Sequence, residues 1–102
     1  MDMKKMMKQA QKMQRDAAIA QEEIAKMEFT ATTGGGMVKV TVKGDMTVTN
    51  VTIDPEAVDP EDVDMLQDMV LAATNEALRS ANEASNARMS SLMGGMKIPG
   101  LM

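Results

Sequence analysis

Apolar residues recur along the first quarter of the chain at intervals of three and four. Met3, Met6, Ala10, Met13, Ala17, Ala20, Ile24 and Met27 keep that rhythm without a break. This is the a/d pattern of a heptad, and it predicts one helix over residues 2–27 whose seam must meet another apolar surface. Strong helix formers fill the positions between, and neither Gly nor Pro interrupts them. The period then changes. Phe29-Thr30-Ala31-Thr32-Thr33 is short and rich in β-branched residues, which predicts a strand. Val38, Val40 and Val42 alternate with Lys39, Thr41 and Lys43, which predicts a second strand with one apolar face. Residues 46–53 read as a further strand, but Met46 and Val48 point opposite to Val51 and Ile53. A bulge or a half-buried second face would each account for that untidiness. A small antiparallel meander of two or three strands follows.

Breakers set the boundaries. Gly34-Gly35-Gly36 precedes a strand, whereas a phosphate-cradling loop needs a Lys-Ser/Thr pair and a helix after its glycines. A hairpin turn is therefore expected there. Gly44-Asp45 is read as a two-residue turn. Asp54-Pro55 ends the sheet, and Asp59-Pro60-Glu61-Asp62 opens a second helix, with Asp59 as N-cap and Pro60 at its first position. That helix is expected to run to about Met93, with Val63, Leu66, Val70, Ala73, Ala77, Ser80, Ala84 and Ala87 in register and Leu71, Leu78 and Ala81 widening the stripe. Its second half is small and polar, and is expected to project beyond the body with Arg79 and Arg88 on it. Gly94-Gly95 closes the helix, leaving residues 94–102 as an expected flexible tail.

Charge sharpens the picture. The chain is acidic overall, with a formal net charge of −4. Residues 1–15 nevertheless carry Lys4, Lys5, Lys8, Lys12 and Arg15 against Asp2 alone, a side-chain charge of +4. These five fall at heptad positions b, c and f, away from the seam. Between Asp54 and Asp68 stand seven acids and no base. Helix capping and the helix dipole explain most of that acidic run, and its spacing matches no EF-hand. No metal site is expected.

Composition removes several function classes. With no Cys and no His there is no thiolate chemistry, no disulfide and no ordinary general base near neutral pH. No cofactor fingerprint is present, so an enzyme is not expected. Phe29 is the sole aromatic residue, so base stacking on aromatic platforms is excluded. No run of about 20 apolar residues exists to span a membrane. The default expectation is a cytoplasmic protein without a small-molecule substrate. Of the 14 methionines, Met3, Met6, Met13 and Met27 lie on the heptad seam, a packing pattern in which Met fills irregular gaps.

The order of helix, Gly-rich hairpin, Asp-Pro and long helix resembles the YbaB/EbfC family of bacterial nucleoid-associated proteins. The stretches that carry the likeness are Met6-Met7-Lys8-Gln9-Ala10-Gln11-Lys12-Met13-Gln14, then Gly34-Gly35-Gly36-Met37-Val38-Lys39-Val40-Thr41-Val42, then Ile53-Asp54-Pro55. Residues 61–78 and the closing Pro99-Gly100 complete it. The resemblance implies an α+β protein, one α-β-β-β-α domain over residues 1–93, that forms an intertwined, tweezer-like homodimer. It also implies a place in the cytoplasm at the nucleoid, and binding of double-stranded DNA with little sequence preference.

Two seams of this length exceed what so small a sheet can cover, which independently points to a symmetric homodimer. The residues expected to pack within the chain or across that dimer are Met6, Met13, Ile24, Val38, Val40, Val42, Leu66 and Val70. The residues expected to meet DNA phosphates are Lys4, Lys5, Lys8, Lys12, Arg15, Arg79, Arg88 and Lys97. Met6 and Met7 are candidate groove wedges, though seam residues first. The competing reading is a scaffold that takes partner helices along its Met- and Ala-rich seams.

Overall fold

The computed structural model describes residues 2–94. Helix α1 (Met3–Lys26) leads into strands β1 (Glu28–Thr33), β2 (Val38–Lys43) and β3 (Val48–Ile53), and helix α2 (Val63–Gly94) follows. The strands form one antiparallel sheet in the order β1-β2-β3. The architecture is thus the expected α+β arrangement. The expectations for residues 95–102 lie outside the described residues.

The glycine turn works as expected. Gly34, Gly35 and Gly36 have φ of 61°, 68° and 96°, a region costly for residues with a Cβ. The Thr33 hydroxyl donates to the Met69 carbonyl at 2.8 Å and ties this corner to α2.

The second turn corrects the two-residue expectation. Gly44, Asp45 and Met46 form a three-residue loop, in which the Met46 N–H donates to the Lys43 carbonyl and the Lys43 N–H to the Thr47 carbonyl, each at 2.9 Å. The left-handed position is taken by Met46, at φ 68°. Gly44 is required for a different reason, since a Cβ there would overlap the Ile24 carbonyl oxygen in the last turn of α1. The Gly44 N–H donates to the Met27 carbonyl at 3.0 Å, so the loop is where the sheet grips α1.

The irregularity of the third strand is a bulge. Pairing jumps from Thr41↔Asn50 to Val42↔Val48, which leaves Thr49 as the extra residue. The bulge brings Val48, Val51 and Ile53 opposite Val42, Val40 and Val38, so all six share one face of the sheet.

That face carries the core. Val38, Val40 and Val42 are fully buried with Ala31 against Ala73, Ala77 and Ala81 of α2, and Phe29, Leu66, Met69, Val70 and Leu78 close the sides. Three alanines at i, i+4 and i+8 let the helix backbone approach the sheet closely. α2 lies over β1 and β2, and β3 is left uncovered. Its Val48, Val51 and Ile53 remain 44%, 44% and 37% exposed. Leu71, expected to widen the buried stripe, is 60% exposed on the same flank.

Two expectations about the second helix need correction. It begins at Val63 rather than Pro60. Asp59 caps a separate turn, its carboxylate accepting the Glu61 N–H at 2.9 Å, and Asp62 caps the helix by accepting the Met65 N–H at 3.3 Å. Two caps stand in series in this acidic run, and helix starts at the second, one turn before Leu66 reaches the core. The far half of α2 does not project alone. It runs antiparallel along α1, with Ala84 and Ala87 beside Ile24 and Met27, and Met89, Leu92 and Met93 beside Met13 and Ala17. Small residues in that half let the two helices lie together.

The molecule is elongated, measuring 71 × 27 × 16 Å. Its radius of gyration is 20.0 Å, against about 13 Å for a compact chain of this length.

Candidate nucleic-acid interface

The helix that carries the cations is anchored at one end only. Ala20 and Ile24 are 1% and 4% exposed, while every residue from Asp2 to Arg15 is exposed. The chain thus buries the C-terminal third of the α1 seam, sets Met13 and Ala17 beside the end of α2, and leaves Met3 and Met6 in solvent. The free end is still a formed helix, because the Asp2 carboxylate accepts the Lys4 N–H at 3.0 Å and caps it.

At about 100° per residue, Lys4, Lys5, Lys8, Lys12 and Arg15 fall within one face about 100° wide. They span roughly 16 Å of helix axis. None of the five is in an ion pair among the described residues. The other cations named from sequence are placed differently. Arg79 pairs with Glu76 at 2.8 Å on its own helix, and Arg88 pairs with Glu23 of α1 at 2.9 Å. Arg88 therefore fastens α2 to α1. Lys97 lies outside the described residues.

The remaining named positions divide cleanly. Ile24, Val38, Val40 and Val42 are buried, and Leu66 and Val70 are half-buried at the core edge. Met6 and Met13 are 53% and 38% exposed, so neither is buried within the chain. Met6 lies about 150° round the helix from the centre of the cationic face. A duplex held by that face would not meet Met6, which speaks against the groove-wedge role.

Topology separates the charges. Gly34 and Gly44 mark opposite ends of β2. The Asp54 N–H donates to the Met37 carbonyl, which places the acidic run at the Gly34 end. α1 docks at the Gly44 end and leads away from it. The sheet, about 20 Å along its strands, stands between the two charges. Sequence reasoning missed the Glu23–Arg88 clamp and the Gly44 anchor, which together fix the direction of the cationic helix. Nothing local in the sequence signals the anchor, because Gly44 stands in a turn, where glycine is ordinary.

Among the described residues no helix is long and apolar enough to cross a membrane.

Comparison with known proteins places the chain in a family. Residues 1–96 match the model of the YbaB/EbfC DNA-binding family. A nucleoid-associated protein of Clostridium acetobutylicum is 51% identical over 100 residues, covering 98% of this chain and 89% of its own. A nucleoid-associated protein of Pelotomaculum thermopropionicum is 52% identical over 100 residues, covering 98% of this chain and 95% of its own. The crystal structure of an uncharacterized protein from Helicobacter pylori superposes with a TM-score of 0.79 at 22% identity, covering 92% of this chain and 99% of that one. At that identity the likeness concerns the fold.

Proposed function

The chain belongs to the YbaB/EbfC DNA-binding family, and we propose that it acts at the nucleoid as a homodimer that grips double-stranded DNA with low sequence preference through the cationic face of α1. The observation that carries this reading is the set of five exposed cations on the free end of that helix, none ion-paired among the described residues. Duplex DNA carries one phosphate charge per about 1.7 Å of axis, so a 16 Å arm lies alongside roughly ten of them. Each cation finds a phosphate whatever the base sequence, and phosphate contacts position a protein without reading bases. Arg79 and Arg88 contribute less, because each already faces a carboxylate.

Exposed area supports the dimer. The chain presents 7843 Å² to solvent, against about 5,600 Å² for a compact monomer of this mass. The excess is well above the ~800 Å² that each partner contributes to a standard interface.

The test is a mobility titration of duplex DNA across salt, comparing the wild type with Lys5→Ala/Lys8→Ala/Lys12→Ala. The logarithm of the binding constant should fall by about 0.9 per phosphate contact for each unit of log salt. The triple variant should bind more weakly at low salt, with a slope shallower by about 2.7 per engaged arm. Wild-type affinity and slope in the triple variant would show that α1 is not the contact surface. A salt-insensitive protein partner with no DNA shift at low salt would favour a scaffold instead.

A further inference from the structure

We propose that Ile19 is the apolar contact of the DNA grip. It packs against the deoxyribose edge of the duplex at the inner end of the cationic face, where the footprint stops. This rests on the reading of α1 given above and adds a residue outside the set of cations.

Met3, Met6, Met7, Met13 and Ile19 are the exposed large apolar side chains of α1. At about 100° per residue, the four methionines fall roughly 110° or more from the centre of the cationic face. Ile19 falls within about 10° of that centre and about 140° from the middle of the seam. It stands one turn beyond Arg15, with Arg15 and Lys12 to either side of it, and is 51% exposed. A single exposed apolar side chain is ordinary; its position sets this one apart. Exposed positions inside a helix favour Ala, Lys or Gln over a β-branched residue, so the helix itself does not call for isoleucine there.

The charge of the face reverses at Ile19. Before it stand Lys4, Lys5, Lys8, Lys12 and Arg15, and after it Glu22 and Glu23. From residue 16 to residue 26, Asp16, Glu22 and Glu23 stand against Lys26 alone, a side-chain charge of 1 − 3 = −2. Glu23 already faces Arg88 at 2.9 Å, while Glu22 is in no ion pair among the described residues. Phosphates are thus drawn to the face as far as Arg15 and repelled by Glu22, about 4.5 Å along the axis beyond Ile19. A neutral side chain marks the boundary.

Charge also selects what covers Ile19. The cations that flank it on the arm favour a polyanion over an apolar partner helix. Between the phosphates of a duplex the backbone presents sugar carbons, and these are the same at every base pair. Burying Ile19 against them adds affinity through apolar area, without releasing counterions and without reading a base.

Those properties set the test. Ile19→Ala, Ile19→Lys and Gln21→Lys of the full chain are titrated with duplex DNA across salt, beside the wild type and the Lys5→Ala/Lys8→Ala/Lys12→Ala variant. Both positions are exposed and the new residues are good helix formers, so the fold is retained, as circular dichroism checks. Ile19→Ala should weaken binding about five-fold per engaged arm with an unchanged salt slope. Ile19→Lys should steepen the slope by about 0.9 per engaged arm. Gln21→Lys carries the same charge about 160° round the helix and should leave the slope unchanged. With the triple variant still losing slope, wild-type affinity for Ile19→Ala, or an Ile19→Lys slope no steeper than that of Gln21→Lys, overturns the assignment of Ile19 alone. A triple variant that binds as the wild type does overturns the reading of α1 beneath it.

Discussion

Replacing Gly44 with alanine tests the seating of the cationic helix α1. The added Cβ would overlap the Ile24 carbonyl oxygen and lie 2.6 Å from its carbon. Both are backbone atoms inside a helical turn, so no rotamer change relieves the contact, and the end of α1 must move by about 1 Å. That movement breaks the 3.0 Å bond from the Gly44 N–H to the Met27 carbonyl, a loss of about 1 kcal/mol. Forcing extra volume against the buried Ala20 and Ile24 adds about 1–3 kcal/mol. The sum is about 2–4 kcal/mol, or a fall in Tm of about 10–25 °C for a chain of this size. Thermal unfolding followed by circular dichroism measures it, with protein concentration held fixed because any self-association would shift Tm. Gly35→Asn is the control. Gly35 has φ 68° with nothing within 4 Å of its added Cβ, and Asn tolerates that conformation, so a loss below about 1 kcal/mol is expected. A Gly44→Ala drop of under about 4 °C, or one no larger than that of Gly35→Asn, would mean that α1 is not seated on this loop.

Met46 occupies a left-handed position at φ 68°, so Met46→Gly should stabilise by about 1 kcal/mol, read as a higher urea midpoint with an unchanged slope; a lower midpoint would contradict the strain. The Thr47 hydroxyl, and then its backbone N–H, hold the Asp45 carboxyl below its ordinary value of 3.8. The stabilisation from that carboxylate is therefore complete above 3.8 and is lost as pH falls through the lowered value. A carboxyl NMR titration should show Thr47→Val moving the Asp45 midpoint upward, and no movement would remove the hydroxyl as the main cause. A double-mutant cycle on Glu23 and Arg88, whose side chains are 55% and 49% exposed, should give a coupling of about 0.2–1 kcal/mol that fades at high salt. Zero coupling at low salt would leave the far half of α2 without its clamp.

Periodicity carried much of the fold. Val38, Val40 and Val42 alternate so cleanly that their shared burial could be read directly, and the heptad over residues 3–27 marks one helix and its seam. What escaped depends on three-dimensional neighbours. Glu23 and Arg88 are 65 residues apart, and nothing local links them. Gly44 reads as a turn residue because turns are where isolated glycines usually stand, while its real constraint arrives from a helix that ended 18 residues earlier. The series Asp54, Asp59 and Asp62 offers several caps, and only the position of Leu66 over the core decides which one opens α2. Leu71 continues an apolar stripe in sequence but stands beyond the strands that α2 covers. The cationic face, by contrast, was legible in full, since five cations on one helical face need no tertiary information to be placed together.

An acidic chain that belongs to a DNA-binding family needs its charges held apart, and the fold does this with the sheet. The seven acids and the five cations of the arm extend from opposite ends of β2, with about 20 Å of strand between them. At physiological ionic strength screening acts over about 8 Å, so the acids scarcely weaken the field at the arm. Net charge is then a poor guide to the partner, and the local sum of +4 over residues 1–15 is the relevant one. The same separation gives the acids a role that does not compete with DNA. Asp54, Asp59 and Asp62 accept backbone N–H groups in successive turns, and so build the corner from which α2 sets out. α2 in turn returns along α1 and holds it through Arg88. The acidic end therefore supports the basic end mechanically, through the helix between them, while electrostatically each is nearly blind to the other.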